Sequence, residues 1–154
     1  MKVVFYGNRA GDFGDKLIRW WTSDLSSKVN GTWKDSYSHV ELLFSDGYMF
    51  SASQYHNICR FRKFNPGSSA WVTVTTDADE EAVRMFCEEV NGSKYDYLGI
   101  LGFVIGTKHA EDKYFCSEVV VRALQSSGRL GTVISSTTSP NKLYRLLNRS
   151  TPND

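Results

Sequence analysis

Cysteine is scarce in this 154-residue sequence, with three in all. Cys59, Cys87 and Cys116 lack the short C-x-x-C spacing of zinc and thiol-redox sites. Three cysteines cannot all pair within one chain, so a disulfide scaffold is not expected. Excess charge is also missing. Eighteen lysines and arginines face 17 aspartates and glutamates, a net charge of +1, which leaves no broad positive field for nucleic acid or an anionic membrane. Long apolar runs are absent as well: the longest, Leu98 to Gly106, falls far short of the roughly 20 residues that span a bilayer and reads as a buried helix. The opening Met1 to Gly7 is too short for a secretory signal, and Asn8, Arg9 and Asp12 follow at once. The mature chain is therefore expected to start near Met1 and to be cytoplasmic. No internal repeat is evident.

What is present is the composition of a packed domain: 41% apolar, 14% aromatic and 23% charged residues. Together with the length, this predicts one globular domain over 1–154. Val3 to Tyr6 is a β-branched and aromatic run ended by Gly7-Asn8, which suits a buried strand. Asp15 to Trp21 has the spacing of a short helix capped by Asp15, and Asp24 to Ser36 has no period and reads as a loop. Tyr37 to Phe44 and Tyr48 to Ser53, split by Ser45-Asp46-Gly47, form the clearest hairpin signal. A three-residue loop with Gly47 in the left-handed conformation pairs Phe44 with Tyr48, Leu42 with Phe50 and Val40 with Ala52, which gathers six apolar residues on one face. His39 and Glu41 then fall on the other face, across from Ser53 and Ser51.

Strands are also expected at Ile58 to Phe64, where Arg60 and Arg62 alternate, and at Trp71 to Thr75, with Asn65-Pro66-Gly67 turning between them. The β part is expected to end there. Asp77 to Glu81 reads as a carboxylate-rich helix start whose apolar stripe includes Val83, Phe86, Cys87 and Val90, stopped by Asn91-Gly92. A second, apolar helix is expected over Tyr97 to Ile105 and a polar loop from Gly106 to Lys113. A third helix runs from Cys116 to Gln125 with Gly128 past its end, and a last one follows Ser139-Pro140. The order predicts an α+β domain, an antiparallel sheet or open barrel packed by helices.

Cys116, first in its helix, sits beside unsatisfied amides and the positive end of the macrodipole. Both favour a thiolate, and the same amides can hold an oxyanion. His39, on the polar side of a strand, is the candidate base. Free cysteine is more often core than catalytic, and a lone histidine usually satisfies a local hydrogen bond, so the weight rests on the combination. Tyr37 and Tyr97 are candidate donors to a substrate or oxyanion, although tyrosines more often simply pack. Glu118, in the first turn of the cysteine helix, favours the helix and opposes a neighbouring thiolate.

The ordered set of Gly14-Asp15-Lys16-Leu17-Ile18-Arg19-Trp20-Trp21, Tyr37-Ser38-His39-Val40-Glu41-Leu42, Tyr95-Asp96-Tyr97-Leu98-Gly99, Tyr114-Phe115-Cys116-Ser117-Glu118-Val119-Val120 and Ser139-Pro140-Asn141-Lys142-Leu143-Tyr144 resembles the YiiX-like family. That family is a circularly permuted branch of the NlpC-type papain-like hydrolases, and the resemblance covers most of the chain. It implies a permuted papain-like fold in which the histidine strand precedes the cysteine helix. It also implies thiol catalysis on amide or acyl-ester bonds, with Cys116 as nucleophile and His39 as base. The family commonly orients its histidine with a glutamate on the second hairpin strand, and by spacing that position here is Ser51. Ser51 or Ser53 can accept a hydrogen bond from the imidazole. Glu41, two residues along on the same face, can supply the missing charge and is the first choice.

The expected function is a cysteine peptidase or amidase of cytosolic or phage type. It would act through an acyl-enzyme on a peptide-like or acyl substrate, peptidoglycan stem peptides included, with no metal or organic cofactor implied. Two alternatives remain open: an acyltransferase or lipid thioesterase with a groove lined by Trp20, Trp21 and Phe103, and an inactive binding module, suggested by Ser51 standing in place of an acidic orienter.

Overall fold

A computed structural model describes residues 1–7, 29–31, 36–53, 56–65, 71–95 and 113–149. Outside these lie the helix expected at 15–21 with Trp20 and Trp21, the Pro66-Gly67 turn, and the helix expected at 97–105 with Tyr97 and Phe103. Most of the two expected polar loops lies outside as well. The described elements are, in order, β1 (Lys2–Tyr6), β2 (His39–Leu43), β3 (Tyr48–Ser53), β4 (Ile58–Lys63), β5 (Trp71–Thr75), α1 (Glu80–Glu89), β6 (Lys94–Tyr95), β7 (Lys113–Tyr114), α2 (Cys116–Ser126), a 3-10 turn (Ser135–Thr137) and α3 (Pro140–Arg149). The strands form one sheet in the order β5-β1-β2-β3-β4-β6-β7. All pairs are antiparallel except β6 with β7. The chain is thus α+β, a largely antiparallel sheet packed by helices. No described helix is long and apolar enough to cross a membrane.

The hairpin adopts the register that its apolar pattern predicts. Leu42 pairs with Phe50 and Leu43 with Met49. The Phe44 amide donates to the Tyr48 carbonyl at 2.9 Å and the Gly47 amide to the Phe44 carbonyl at 3.1 Å. Gly47 has φ 83°, the left-handed residue that lets a three-residue loop follow the strand twist. Glu80 pins this loop from α1: its Oε1 accepts from the Ser45 amide at 2.9 Å and the Ser45 hydroxyl at 2.7 Å.

β5 crosses past β4, the strand before it, and pairs with β1 at the far side of the sheet, in a register from Lys2–Thr75 to Tyr6–Trp71. One expectation changes: the β part does not end at Thr75. Two-residue strands at 94–95 and 113–114 extend the sheet beyond β4, and each is too short for any periodicity to announce it.

Val3, Phe5, Val40, Leu42, Phe50 and Ala52 form a single core with Val83 and Cys87 of α1, Val119, Val120 and Leu124 of α2, and Leu143 of α3. Eight of the eleven residues of α2 are buried and the helix packs on β2 and β3, so its first residue is held against the hairpin by the body of the core. Burial of each such aliphatic side chain is worth about 1.5–3 kcal/mol. The alternate strand positions carry His39, Glu41 and Ser51, and register places Ser51 beside Arg60 and Met49 beside Arg62. This polar face is concave. β4 and β5 stand four strand spacings apart, about 19 Å in a flat sheet, yet the Arg62 guanidinium carbon lies 5.8 Å from the centre of the Trp71 ring.

A Cβ built on Gly47 would meet nothing within 4 Å, so a substitution there carries only the conformational cost of a positive φ. Gly47→Ala is expected to lower stability by about 1 kcal/mol with an unchanged denaturant slope, as read by urea unfolding.

Candidate functional site

Cys116 opens α2. Its predecessor Phe115 is extended, with φ −101° and ψ 165°, and its own side chain makes no capping hydrogen bond. The i to i−4 ladder begins with the Val119 amide donating to the Phe115 carbonyl at 3.1 Å. The helix therefore begins at Cys116, with the sulfur beside its first-turn amides. Cys116 is only 5% exposed, whereas Cys59 and Cys87 are fully buried.

His39, the first residue of β2, is coupled electrostatically to Cys116. Burial disfavours the charged ring. The charge of Cys116, a hydrogen bond with the Cys116 side chain, and the hydrogen bond and charge of Glu41 outweigh that penalty and raise the imidazole from 6.5 to about 10. Glu41 Oε1 lies 2.9 Å from His39 Nε2. That contact occupies Nε2 and leaves Nδ1 as the second ring nitrogen. Ser51 Oγ is 3.5 Å from the same Nε2, at the outer limit of a hydrogen bond. The Glu41 carboxylate is 4% exposed. Burial alone would raise its pKa, but the bond and charge of His39, then those of Arg62, hold it below the ordinary carboxylate value. Arg62 Nη2 donates to Glu41 Oε2 at 2.7 Å.

The other candidates lie elsewhere. Ser53 Oγ accepts from the His56 amide at 3.3 Å, so it serves the turn after β3. Tyr37 is an anchor within a cluster of rings: its ring centre lies 5.3 Å from that of Phe5 and 4.7 Å from that of Tyr144. Burial and a hydrogen bond to Tyr144 push its phenol above the usual value, and its amide donates to Asn141 Oδ1 at 2.8 Å. This ties α3 to the entry of β2. Glu118, 1% exposed, pairs with Arg122 at 2.9 Å one turn along. Its negative charge adds to burial in raising Cys59 to about 12, while burial foremost raises Cys87. Among the described residues, no group of three or more histidines, cysteines, aspartates or glutamates is placed to hold a metal ion.

Arg62 is the member that sequence reasoning missed. Its alternation with Arg60 marks a strand, but nothing local says that β4 follows β3 in a register that brings a guanidinium to Glu41. The chain matches no protein-family model, no curated protein and no solved structure.

The folded imidazole lies above its ordinary value of 6.5, at about 10. It therefore contributes its full stability below pH 6.5 and loses it as the pH rises toward 10; the depressed Glu41 carboxyl does the opposite and loses its contribution in acid. His39→Gln is expected to lower Tm most at about pH 6 and to converge on the wild-type Tm at about pH 10, as read by calorimetry across that window. A gap that stays constant with pH contradicts the charged pair.

Proposed function

We propose that the chain is a thiol hydrolase of the permuted papain-like, YiiX-like kind, a cysteine peptidase or amidase acting on peptide-like bonds through an acyl-enzyme. One observation carries this reading: Glu41 holds the outer nitrogen of the His39 ring at 2.9 Å, while the same ring is coupled electrostatically to the helix-start Cys116. A nucleophile, a base and a group that orients the base form the arrangement that thiol acyl transfer requires.

The chemistry follows from the geometry. The Cys116 thiolate attacks the carbonyl carbon, a C–S bond forms, and the carbonyl electron pair moves to oxygen. The oxyanion lies toward the first-turn amides of α2. The His39 imidazolium gives its proton to the leaving amine as the C–N bond breaks. The neutral ring then takes a proton from water, whose oxygen attacks the thioester. Collapse releases the carboxylic acid and restores thiolate and imidazolium. Glu41 stays ionised throughout and stabilises the charged ring. The motif resemblance adds peptidoglycan stem peptides to the candidate substrates.

Iodoacetamide near neutral pH is expected to label Cys116 well ahead of Cys59 and Cys87, because burial holds the latter two as neutral thiols. His39→Ala should slow that labelling by about 100-fold, and Cys116→Ala should abolish turnover of a model peptide amide. Mass spectrometry of the labelled peptides gives the order. Equal labelling of all three cysteines, or turnover that survives Cys116→Ala, overturns the proposal.

A further inference from the structure

We infer that Arg62, seated over Trp71, is a positioning residue of the Cys116–His39 pair and acts on it through Glu41. The inference rests on the thiol chemistry proposed above and assigns a role to a residue two strands away from the histidine.

The argument starts from Glu41. A carboxylate at 4% exposure is tolerable only when its oxygens are paired, and it has two of them to satisfy. Oε1 serves His39 and Oε2 serves Arg62, at 2.9 and 2.7 Å. A carboxylate held at one oxygen can turn about its terminal bond; one held at both keeps its plane and its distance to the ring. The side chain thus stays aimed at Nε2, which fixes where Nδ1 points. Arg62 has its own support. Its guanidinium lies 5.8 Å from the centre of the Trp71 ring, within the range of a cation–π contact, and Trp71 in turn packs tilted against Tyr6 with ring centres 4.8 Å apart. Tyr6 is the β1 neighbour of His39. A chain of contacts therefore leaves the histidine through Glu41 and Arg62 and returns beside it through Trp71 and Tyr6. This bracing also answers the serine at position 51. Ser51 brings no charge to the ring, and its 3.5 Å approach leaves orientation to Glu41, a neighbour on the same strand that needs a cation behind it.

Among the described residues, the charged groups bonded to Glu41 are His39 on its own strand and Arg62 on β4; its β1 neighbour is Val4. Loss of Arg62 removes the directly bonded cation other than His39.

The test is a double-mutant cycle on the full chain, read as the rate of Cys116 alkylation by iodoacetamide. Arg62→Gln should slow alkylation by about tenfold, and Arg62→Lys, which keeps the charge, should regain most of it. In a Glu41→Gln background, Arg62→Gln should change the rate by less than about twofold, since it has no carboxylate left to act through. Equal slowing in both backgrounds, or no slowing with Glu41 intact, overturns the inference. Should wild-type Cys116 label no faster than Cys59 and Cys87, the hydrolase reading falls, and the Arg62–Glu41 coupling is then read from acid unfolding. Arg62→Gln should raise the midpoint pH of acid unfolding when Glu41 is present and leave it in place in the Glu41→Gln background. A shift of equal size in both refutes the coupling.

Discussion

Glu41 is buried on a strand in the middle of the sheet, and a lone carboxylate in that position would be protonated or would unfold its surroundings. Its two oxygens are instead shared between an imidazole on its own strand and a guanidinium two strands away. Satisfying this one group fixes much else. His39 must present its outer nitrogen to Glu41, which fixes the orientation of the ring. Arg62 must reach across the concave face, where its guanidinium carbon lies 5.8 Å from the centre of the Trp71 ring. The polar side of the sheet is organised around this carboxylate, as the apolar side is organised around α2.

The two sides meet at Cys116. α2 is buried on most of its circumference, and its core neighbours Val40 and Leu42 alternate along β2 with His39 and Glu41. The packing that holds the helix against the hairpin therefore also sets how far the sulfur stands from the ring. A shift of hairpin register by one residue would exchange the faces, placing His39 and Glu41 in hydrocarbon. Gly47 guards against that shift. The Ser45 and Asp46 contacts with Glu80 and Arg84 of α1 further fasten the same loop.

Cys59 and Cys87 make a useful contrast with Cys116. All three are free thiols in one chain, but the first two stand in the core, where burial penalises the anion and the Glu118 charge adds to the penalty at Cys59. Position at a helix start beside a cationic ring, and not the residue type, separates a candidate nucleophile from two packing residues.

Local patterns determined a good deal by themselves. Alternation along Val40, Leu42 and Phe44 against Tyr48, Phe50 and Ala52, with a glycine at the turn, specifies the hairpin and its register, because the period of a strand leaves only one pairing that keeps apolar residues together. The helical stripe that begins at Cys116 specifies where α2 starts, and the two-residue spacing of His39 and Glu41 puts them on one face. Only the tertiary structure decided the rest. Whether Ser51, Ser53 or Glu41 serves the imidazole depends on distances of a few tenths of an ångström, and Ser53 turned instead to the His56 amide. The crossing of β5 to β1, the two short strands beyond β4 and the reach of Arg62 to Glu41 are all contacts between residues far apart in the chain. No local period encodes such contacts; they arise from the order in which strands pair and the curl of the completed sheet.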